Sequence, residues 1–397
     1  MLVTLNAITT KITKGTTPTS VGCTFENSGV NYIKSESLGS SRNINKSKFA
    51  FISEQTHEKL KRSQIEKNDI LFSMAGMFLG KTGIVTADLV PANTNQAVAI
   101  IRIDNEKANH EYVYYYLNLK SVMQAINASS AQSAQPNINL KQIGQLEIDL
   151  PGRKVQDKIV SILSAIDFKI EKNKQINENL EQQAQGYFQK LFVDNADPEW
   201  TTGTISDLGT VVGGSTPSKA KPEYYTETGI AWITPKDLSI NKSKFVSHGE
   251  NDITELGLKN SSATIMPEGT VLFSSRAPIG YIAIAAGEVT TNQGFKSVVP
   301  KSEVGTPFVY FFLKNTLPLI EGMASGSTFK EVSGSTMKNV PAVIPDAETL
   351  AKFSDFCTPI FAQQCILEGQ NQSLATLRDN LVPKLMSGEI DVSKLDI

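Results

Sequence analysis

The sequence predicts an α+β protein made twice from one plan. Two similar globular domains are separated by two long helices, which form an antiparallel coiled coil with a pseudo-twofold internal repeat. Three observations carry this. The hexapeptide INKSKF stands at residues 44–49 and again at 240–245. Short apolar runs punctuated by Gly, Ser and Thr fill the first part of each half. A heptad seam then closes each half in the same phase.

The duplication can be followed along most of the chain. GTTPT at 15–19 faces GSTPS at 214–218, NYIKSESL from Asn31 faces AWITPKDL from Ala231, and ILFS ending at Ser73 faces VLFS ending at Ser274. TNQ at 94–96 faces TNQ at 291–293, YVYYYLNL from Tyr112 faces FVYFFLKN from Phe308, and Pro151 faces Pro345. The offset drifts slowly between roughly 194 and 201 residues. That period is far beyond the ~20 to 50 residues of a solenoid unit, so each copy is a domain. The boundaries fall at 1–151 for the first globular domain, 152–196 for a central helical region, 197–345 for the second domain and 346–397 for a C-terminal helical region.

Composition narrows the function. Hydrophobic residues make up 40% and charged residues 20% of 397 residues, an ordinary globular balance. The formal net charge of −2 gives no global attraction for a polyanion, so any such binding is local. Cys23, Cys357 and Cys365 are too few for a disulfide framework and fit a reducing, cytoplasmic setting. The N-terminal MLVTLNAITTKITKG lacks the pattern of a signal peptide, and no apolar run is long enough to span a bilayer.

Within each globular part, DILFSMAG (69–76) and QAVAIIRI (96–103) read as strands, as does GTVLFSSRAPIGYIAIAA (269–286). The run from Glu111 reads as one helix with Tyr112, Tyr115, Tyr116, Leu119, Met123 and Ile126 on a shared side, and PFVYFFLKNTLPLI (307–320) as its counterpart. GMFLGKTG (76–83) has the wrong spacing for a phosphate loop and reads as a turn between strands.

The sharpest signal is the seam. Ile159, Leu163, Ile166, Ile170, Asn173, Asn177, Leu180, Ala184, Tyr187 and Leu191 advance in steps of four and three. The second series is Phe353, Cys357, Ile360, Gln364, Leu367, Asn371, Leu374, Arg378, Leu381 and Leu385. Such helices are rods of about 50 to 60 Å, and an apolar seam on one needs the other to cover it. Asn177 and Asn371 hold equivalent seam positions, where a buried Asn fixes register and orientation at a cost in stability.

Catalytic signatures are missing: no Walker loop, no His-Glu-x-x-His, no Cys-x-x-Cys, and three histidines in all. Two unlike readers separated by rods suit an object that repeats its features along one axis. Duplex DNA is one, presenting its major groove every ~34 Å.

On GGSTPS (213–218) with AWITPKDL, the helix text KIVSILSAIDFKIEKNKQINENLEQQAQGYFQKLF (158–192) and the terminal LRDNLVPKLMSGEIDV (377–392), the chain resembles the specificity subunit of type I restriction-modification enzymes over essentially its whole length. The resemblance implies two target recognition domains, each reading half of a bipartite DNA sequence. It also implies a noncatalytic role, with the coiled coil fixing the spacing and docking two methyltransferase subunits. Motor-nuclease subunits join through these, and S-adenosylmethionine and ATP with Mg²⁺ belong to the partners. The first domain departs from the second in having Tyr32 for Trp232 and GMFLG for RAPIG.

Phosphates favour Lys and Arg, and base edges favour Arg, Asn, Gln, Ser and Thr. The DNA-facing candidates are therefore Arg42, Lys46, Lys48, Lys81, Gln132, Gln135 and Asn137 in the first domain. In the second they are Ser215, Lys219, Lys221, Lys236, Lys242, Lys244, Arg276, Ser327 and Lys330. Arg276 follows a strand in a loop able to present a bidentate fork to guanine. The TNQ triplet, present in both copies, suits shared fold or phosphate contact better than the reading of two different half-sites. The rival class is a coiled-coil scaffold with duplicated protein- or glycan-binding domains, and salt-sensitive DNA affinity separates the two.

Overall fold

The computed structural model describes residues 1–39, 41–130, 137–276, 278–326 and 330–395, with backbone alone for 127–130. The chain is α+β and divides into two compact units, Met1–Phe168 with Leu374–Ile397 and Lys169–Ser373.

The first unit holds a four-stranded sheet in the order Thr9–Lys14, Val98–Ile103, Ile70–Ser73, Thr82–Ile84. The second unit repeats it as Gly209–Gly213, Lys296–Pro300, Val271–Ser275, Ile279–Ala285, with Phe245–Val246 added at the edge. Strand alternation explains the unbroken apolar runs, because both faces of each sheet are covered. Ile70 and Phe72 enter one core while Leu71 enters another, and Val271 and Phe273 part in the same way from Leu272.

Each unit also carries a second sheet around a parallel pair. Val30–Ile33 runs beside Ala92–Thr94, and Ile230–Ile233 beside Thr290–Thr291. Ala50–Ile52 and Asn251–Ile253 add antiparallel neighbours to the first member of each pair. GMFLGKTG proves to be the connection between two strands of the first sheet, with Gly76 and Gly80 at φ 70 and 78.

The helix expected from Glu111 is two helices, α1 (His110–Leu117) and α2 (Lys120–Ser130). Asn118 ends the first: its Nδ2 donates to the Tyr114 carbonyl at 2.7 Å and to Thr82 Oγ1 at 2.8 Å. The side chain competes with the helical ladder, as a short amide does. Tyr112, Val113, Tyr114, Tyr115 and Leu117 are all buried, so α1 shows no one-sided stripe.

The two heptad stretches form α3 (Arg153–Gln189) and, after the intervening α4 (Thr306–Met323), α5 (Ala347–Met386). Within the first unit Ile159 and Leu163 share a core with Leu385, and Leu381 packs against it. Arg378 Nη1 donates to Asp167 Oδ1 at 2.8 Å, and Lys158 Nζ to the Ser393 carbonyl at 2.8 Å. Within the second unit Tyr187 meets Phe353, Asn177 Nδ2 donates to the Gln364 carbonyl at 3.3 Å, and Asn173 Nδ2 donates to Asn371 Oδ1 at 3.0 Å. In each unit the partner number falls as the first number rises, so the segments run antiparallel. The seam residues Ile166, Leu180, Ile360 and Leu374 are half-buried, and Ile170 and Leu367 are buried. Leu191 lies past the end of α3, in the π-helical turn Lys190–Asp194, and packs on the second unit's core.

Candidate nucleic-acid interface

Both units build the same loop from the same parts. Gly15 lies so close to the 94–95 backbone that a Cβ there would sit 1.9 Å from the Thr94 oxygen, and a Cβ on Gly214 would sit 2.0 Å from the Asn292 oxygen. Only glycine fits. The next residue docks by its amide: Thr16 N donates to the Thr94 carbonyl at 3.0 Å, and Ser215 N to the Thr291 carbonyl at 2.8 Å.

The aromatic position beneath explains one departure between the halves. Tyr32 Oη donates to the Thr16 carbonyl at 3.1 Å, and Trp232 Nε1 donates to the Ser215 carbonyl at 3.0 Å. Tyr and Trp perform one task here. Each brings a ring that buries and a single donor at its far end.

Within the TNQ triplets, Asn95 Oδ1 accepts from Ala97 N at 3.1 Å and Asn292 Oδ1 from Gly294 N at 2.8 Å, which closes the turn. Gln96 and Gln293 are exposed, and each Oε1 accepts the hydroxyl of the loop threonine, Thr17 in one unit and Thr216 in the other. Cations stand beside both. Arg62 Nη2 donates to Thr16 Oγ1 at 3.2 Å, and Lys296 Nζ to the Gln293 carbonyl at 3.4 Å.

The candidate residues distribute unevenly. Lys48, Lys81 and Asn137 are exposed in the first unit, and Lys46 is exposed but paired with Asp88 at 2.5 Å. In the second unit Lys219, Lys221, Lys242 and Lys330 are exposed. Lys236 is exposed and tied to Glu250 at 2.6 Å, a hydrogen bond that raises its ammonium above the usual lysine value. Ser215 belongs to the loop just described. Arg276 is 38% exposed and lies 3.8 Å from Glu331, which is also 3.8 Å from Lys296. Gln132, Gln135 and Ser327 lie outside the described residues.

Two expectations are corrected. Lys244 does not face solvent: 8% of its side chain is exposed, and Nζ donates to Glu181 Oε2 at 2.7 Å and Gln364 Oε1 at 2.9 Å, 3.3 Å from the centre of the Phe361 ring. Burial pulls its ammonium down to about 8. Burial also pushes the Glu181 carboxyl up, but Lys244 and Lys314 outweigh it and hold the group below its ordinary value. Arg42 is turned inward, with both terminal nitrogens on Glu111 at 2.8 and 3.2 Å. Both side chains spend their donors on acceptors within their own unit, as a charge taken out of water requires.

Sequence reasoning assigned the TNQ triplets, with Gln96 and Gln293, to shared fold or phosphate contact, and passed over their neighbours Thr17, Thr216, Arg62 and Lys296. Repetition of G-[ST]-T-P and TNQ was the available signal. Among the described residues no group of three or more His, Cys, Asp and Glu is placed to hold a metal, and no helix is long and apolar enough to cross a membrane.

Twin α+β modules, each carrying a glycine-pinned polar loop with cations beside it and each followed by a long helix, define a repeated recognition architecture. The chain belongs to the type I restriction modification DNA specificity domain family, whose model matches residues 2–182 and again 198–376. It is 41% identical over 169 residues to the type I restriction enzyme MjaIX specificity subunit of Methanocaldococcus jannaschii, a match covering 42% of this chain and 39% of that protein. The HindI specificity subunit of Haemophilus influenzae is 23% identical over 406 aligned positions, covering 83% of this chain and 88% of the relative. The solved type I restriction-modification S subunit from M. genitalium superposes with a TM-score of 0.60 at 18% identity, over 97% of this chain and 95% of that one.

Proposed function

We propose that this chain is the sequence-specific DNA-recognition subunit of a type I restriction-modification complex. Residues 1–151 and 197–345 are its two target recognition domains, each reading one half of a bipartite target. Residues 152–196 and 346–397 are the helical regions that form the coiled coil, fix the spacing and dock two methyltransferase subunits. Motor-nuclease subunits join through these. S-adenosylmethionine, ATP and Mg²⁺ are used by the partners, and the complex works in the cytoplasm. The observation that carries the reading is the family match falling twice, once on each copy of the duplication.

The exposure of the candidate side chains supports the contact types assigned to them. Exposed Lys48, Lys81, Lys219, Lys221, Lys242 and Lys330 reach phosphates, while Arg276, held beside Glu331, presents its fork to a base edge. Co-expression with the cognate methyltransferase and genome-wide mapping of methylated bases gives the target directly. A bipartite motif with two unlike halves is the expected result, and no motif at all rejects the reading. Arg276→Ala then relaxes or abolishes one half-site while assembly persists. Unchanged methylation of the wild-type motif removes Arg276 from that role.

A further inference from the structure

The duplicated loop has one part that the fold does not use. Gly15 and Gly214 pin it, the Thr16 and Ser215 amides dock it, Tyr32 and Trp232 hold it from beneath, and Asn95 and Asn292 close the adjoining turn. Gln96 and Gln293 are exposed, and the one side-chain hydrogen bond each makes among the described residues is with a threonine hydroxyl of the neighbouring glycine loop. With Oε1 accepting that hydroxyl, the Nε2 group of each exposed amide has no hydrogen-bond acceptor among the described residues. Each unit thus presents an amide donor group tethered to a glycine-pinned loop, with Arg62 beside that loop in the first unit and Lys296 beside the glutamine in the second.

Identity between the copies decides what such donors meet. A side chain that discriminates bases has to differ wherever the two half-sites differ, as the loops GMFLG and RAPIG do. A side chain that contacts the sugar-phosphate backbone has no such pressure, because every step of the duplex offers the same anionic oxygens. Amide donors and cations together are also the groups that proteins place on phosphates.

We propose that Thr17 with Gln96, and Thr216 with Gln293, are matched phosphate clamps. One in each domain sets the seating of that domain on the duplex without reading sequence. Arg62 and Lys296 supply the neighbouring charge. This rests on the DNA-recognition reading and adds to it a sequence-independent contact built from the repeated motif.

The test uses the full chain assembled with its methyltransferase partner. Two duplexes serve as probes, one carrying the motif found by methylation mapping and one with both halves scrambled, titrated across a potassium chloride series. Gln96→Ala and Gln293→Ala should each weaken both duplexes by about fivefold, leaving their ratio unchanged. Arg62→Ala should weaken both and lower the salt slope by about one. Gln96→Lys and Gln293→Lys should restore affinity for both probes, since a phosphate accepts either donor.

A changed ratio between the duplexes shows base reading and overturns the proposal, and rescue of neither probe by lysine overturns it too, because a phosphate contact accepts either donor. Unaltered affinity for both duplexes in all the Gln variants also overturns it and leaves the pair a purely structural tie. Thermal melting of each variant separates loss of contact from loss of fold. If the unsubstituted complex itself fails to distinguish the two duplexes, the recognition reading falls, a different outcome from failure of the clamp.

Discussion

Lys244 survives in a nearly closed pocket because its surroundings are built for a cation. Glu181 and Gln364 accept from it, and the rings of Phe361 and Tyr310 lie 3.3 and 4.4 Å from Nζ. Removing the ammonium takes a donor from Gln364 and from one Glu181 oxygen while Lys314 still pairs the carboxylate, so Lys244→Met should destabilise the second unit by about 1 to 3 kcal/mol. The check is urea unfolding followed by tryptophan fluorescence. The pH dependence has a definite sign. Between about 8 and the ordinary lysine value near 10.5, the folded protein has released a proton that the unfolded chain still holds. Stability attributable to this residue therefore rises with pH across that window. Melting temperatures of wild type and Lys244→Met, measured from pH 7 to 10, should diverge in favour of wild type above pH 8, and convergence would contradict the assignment. The sequence offered no warning. INKSKF occurs in both copies, yet Lys48 is exposed and its counterpart Lys244 is buried, because only the second unit carries Glu181, Gln364 and Phe361 around that position. Tertiary surroundings decided the fate of one repeated lysine. The repeat itself was legible, since GTTPT and GSTPS match between the copies, but the close backbone approach that requires glycine there shows only in the fold. Gly214→Ala should cost about 2 kcal/mol or more through its clash with the Asn292 and Thr291 backbone, measured by the same unfolding transition.

At the scale of elements, the helix pair was readable because a heptad pattern is a repeated demand for the same partner. Every seam position from Ile159 to Leu385 is buried or half-buried, with Arg378 and Gln364 paired in place of packed. The break at Asn118 was not readable. Its cause is a long-range bond to Thr82, and periodicity carries no trace of that. Nor does it register Pro318, which lies inside α4 without ending it. The polar stretch of the seam makes a testable unit. Asn173 donates to Asn371 and also to Gln370 Oε1 at 3.3 Å, and the Asn173 and Asn177 oxygens are buried without a partner among the described residues. Asn371→Leu alone should cost about 1 to 2 kcal/mol, since it strips an acceptor from a buried amide. Asn173→Leu with Asn371→Leu should recover that loss or exceed it, because an apolar pair no longer carries the desolvation cost. A double variant less stable than either single one, by calorimetric melting, would show that the amides contribute more than their mutual pairing.

For the molecule as a whole, the duplication makes the halves look interchangeable at the boundaries of the globular domains. The packing draws the line elsewhere. Phe188 of α3 and Phe353 and Phe361 of α5 belong to the same core as Val271, Phe308 and Phe311. Glu181 on α3 also accepts from Lys244, Lys314 and Tyr310, and Glu368 on α5 accepts the Lys244 and Phe245 amides at 3.0 Å each. The second recognition domain and the helix segments beside it are therefore one packing unit, 169–373. Exchanging only residues 197–345 for the equivalent stretch of a relative with another target leaves Glu181, Glu368 and Phe361 facing side chains they were not matched to. That chimera should melt several degrees lower than the parent, since a loss of about 1 to 3 kcal/mol shifts the midpoint by ~2 to 4 °C per kcal/mol in a unit of this size. Exchanging 169–373 as a block carries the matched set along. It should melt near the parent and, assembled with the same methyltransferase, alter the methylated motif in one half alone. A block chimera that folds well yet changes both halves of the motif would show that the two domains do not read independently, whatever their separate cores.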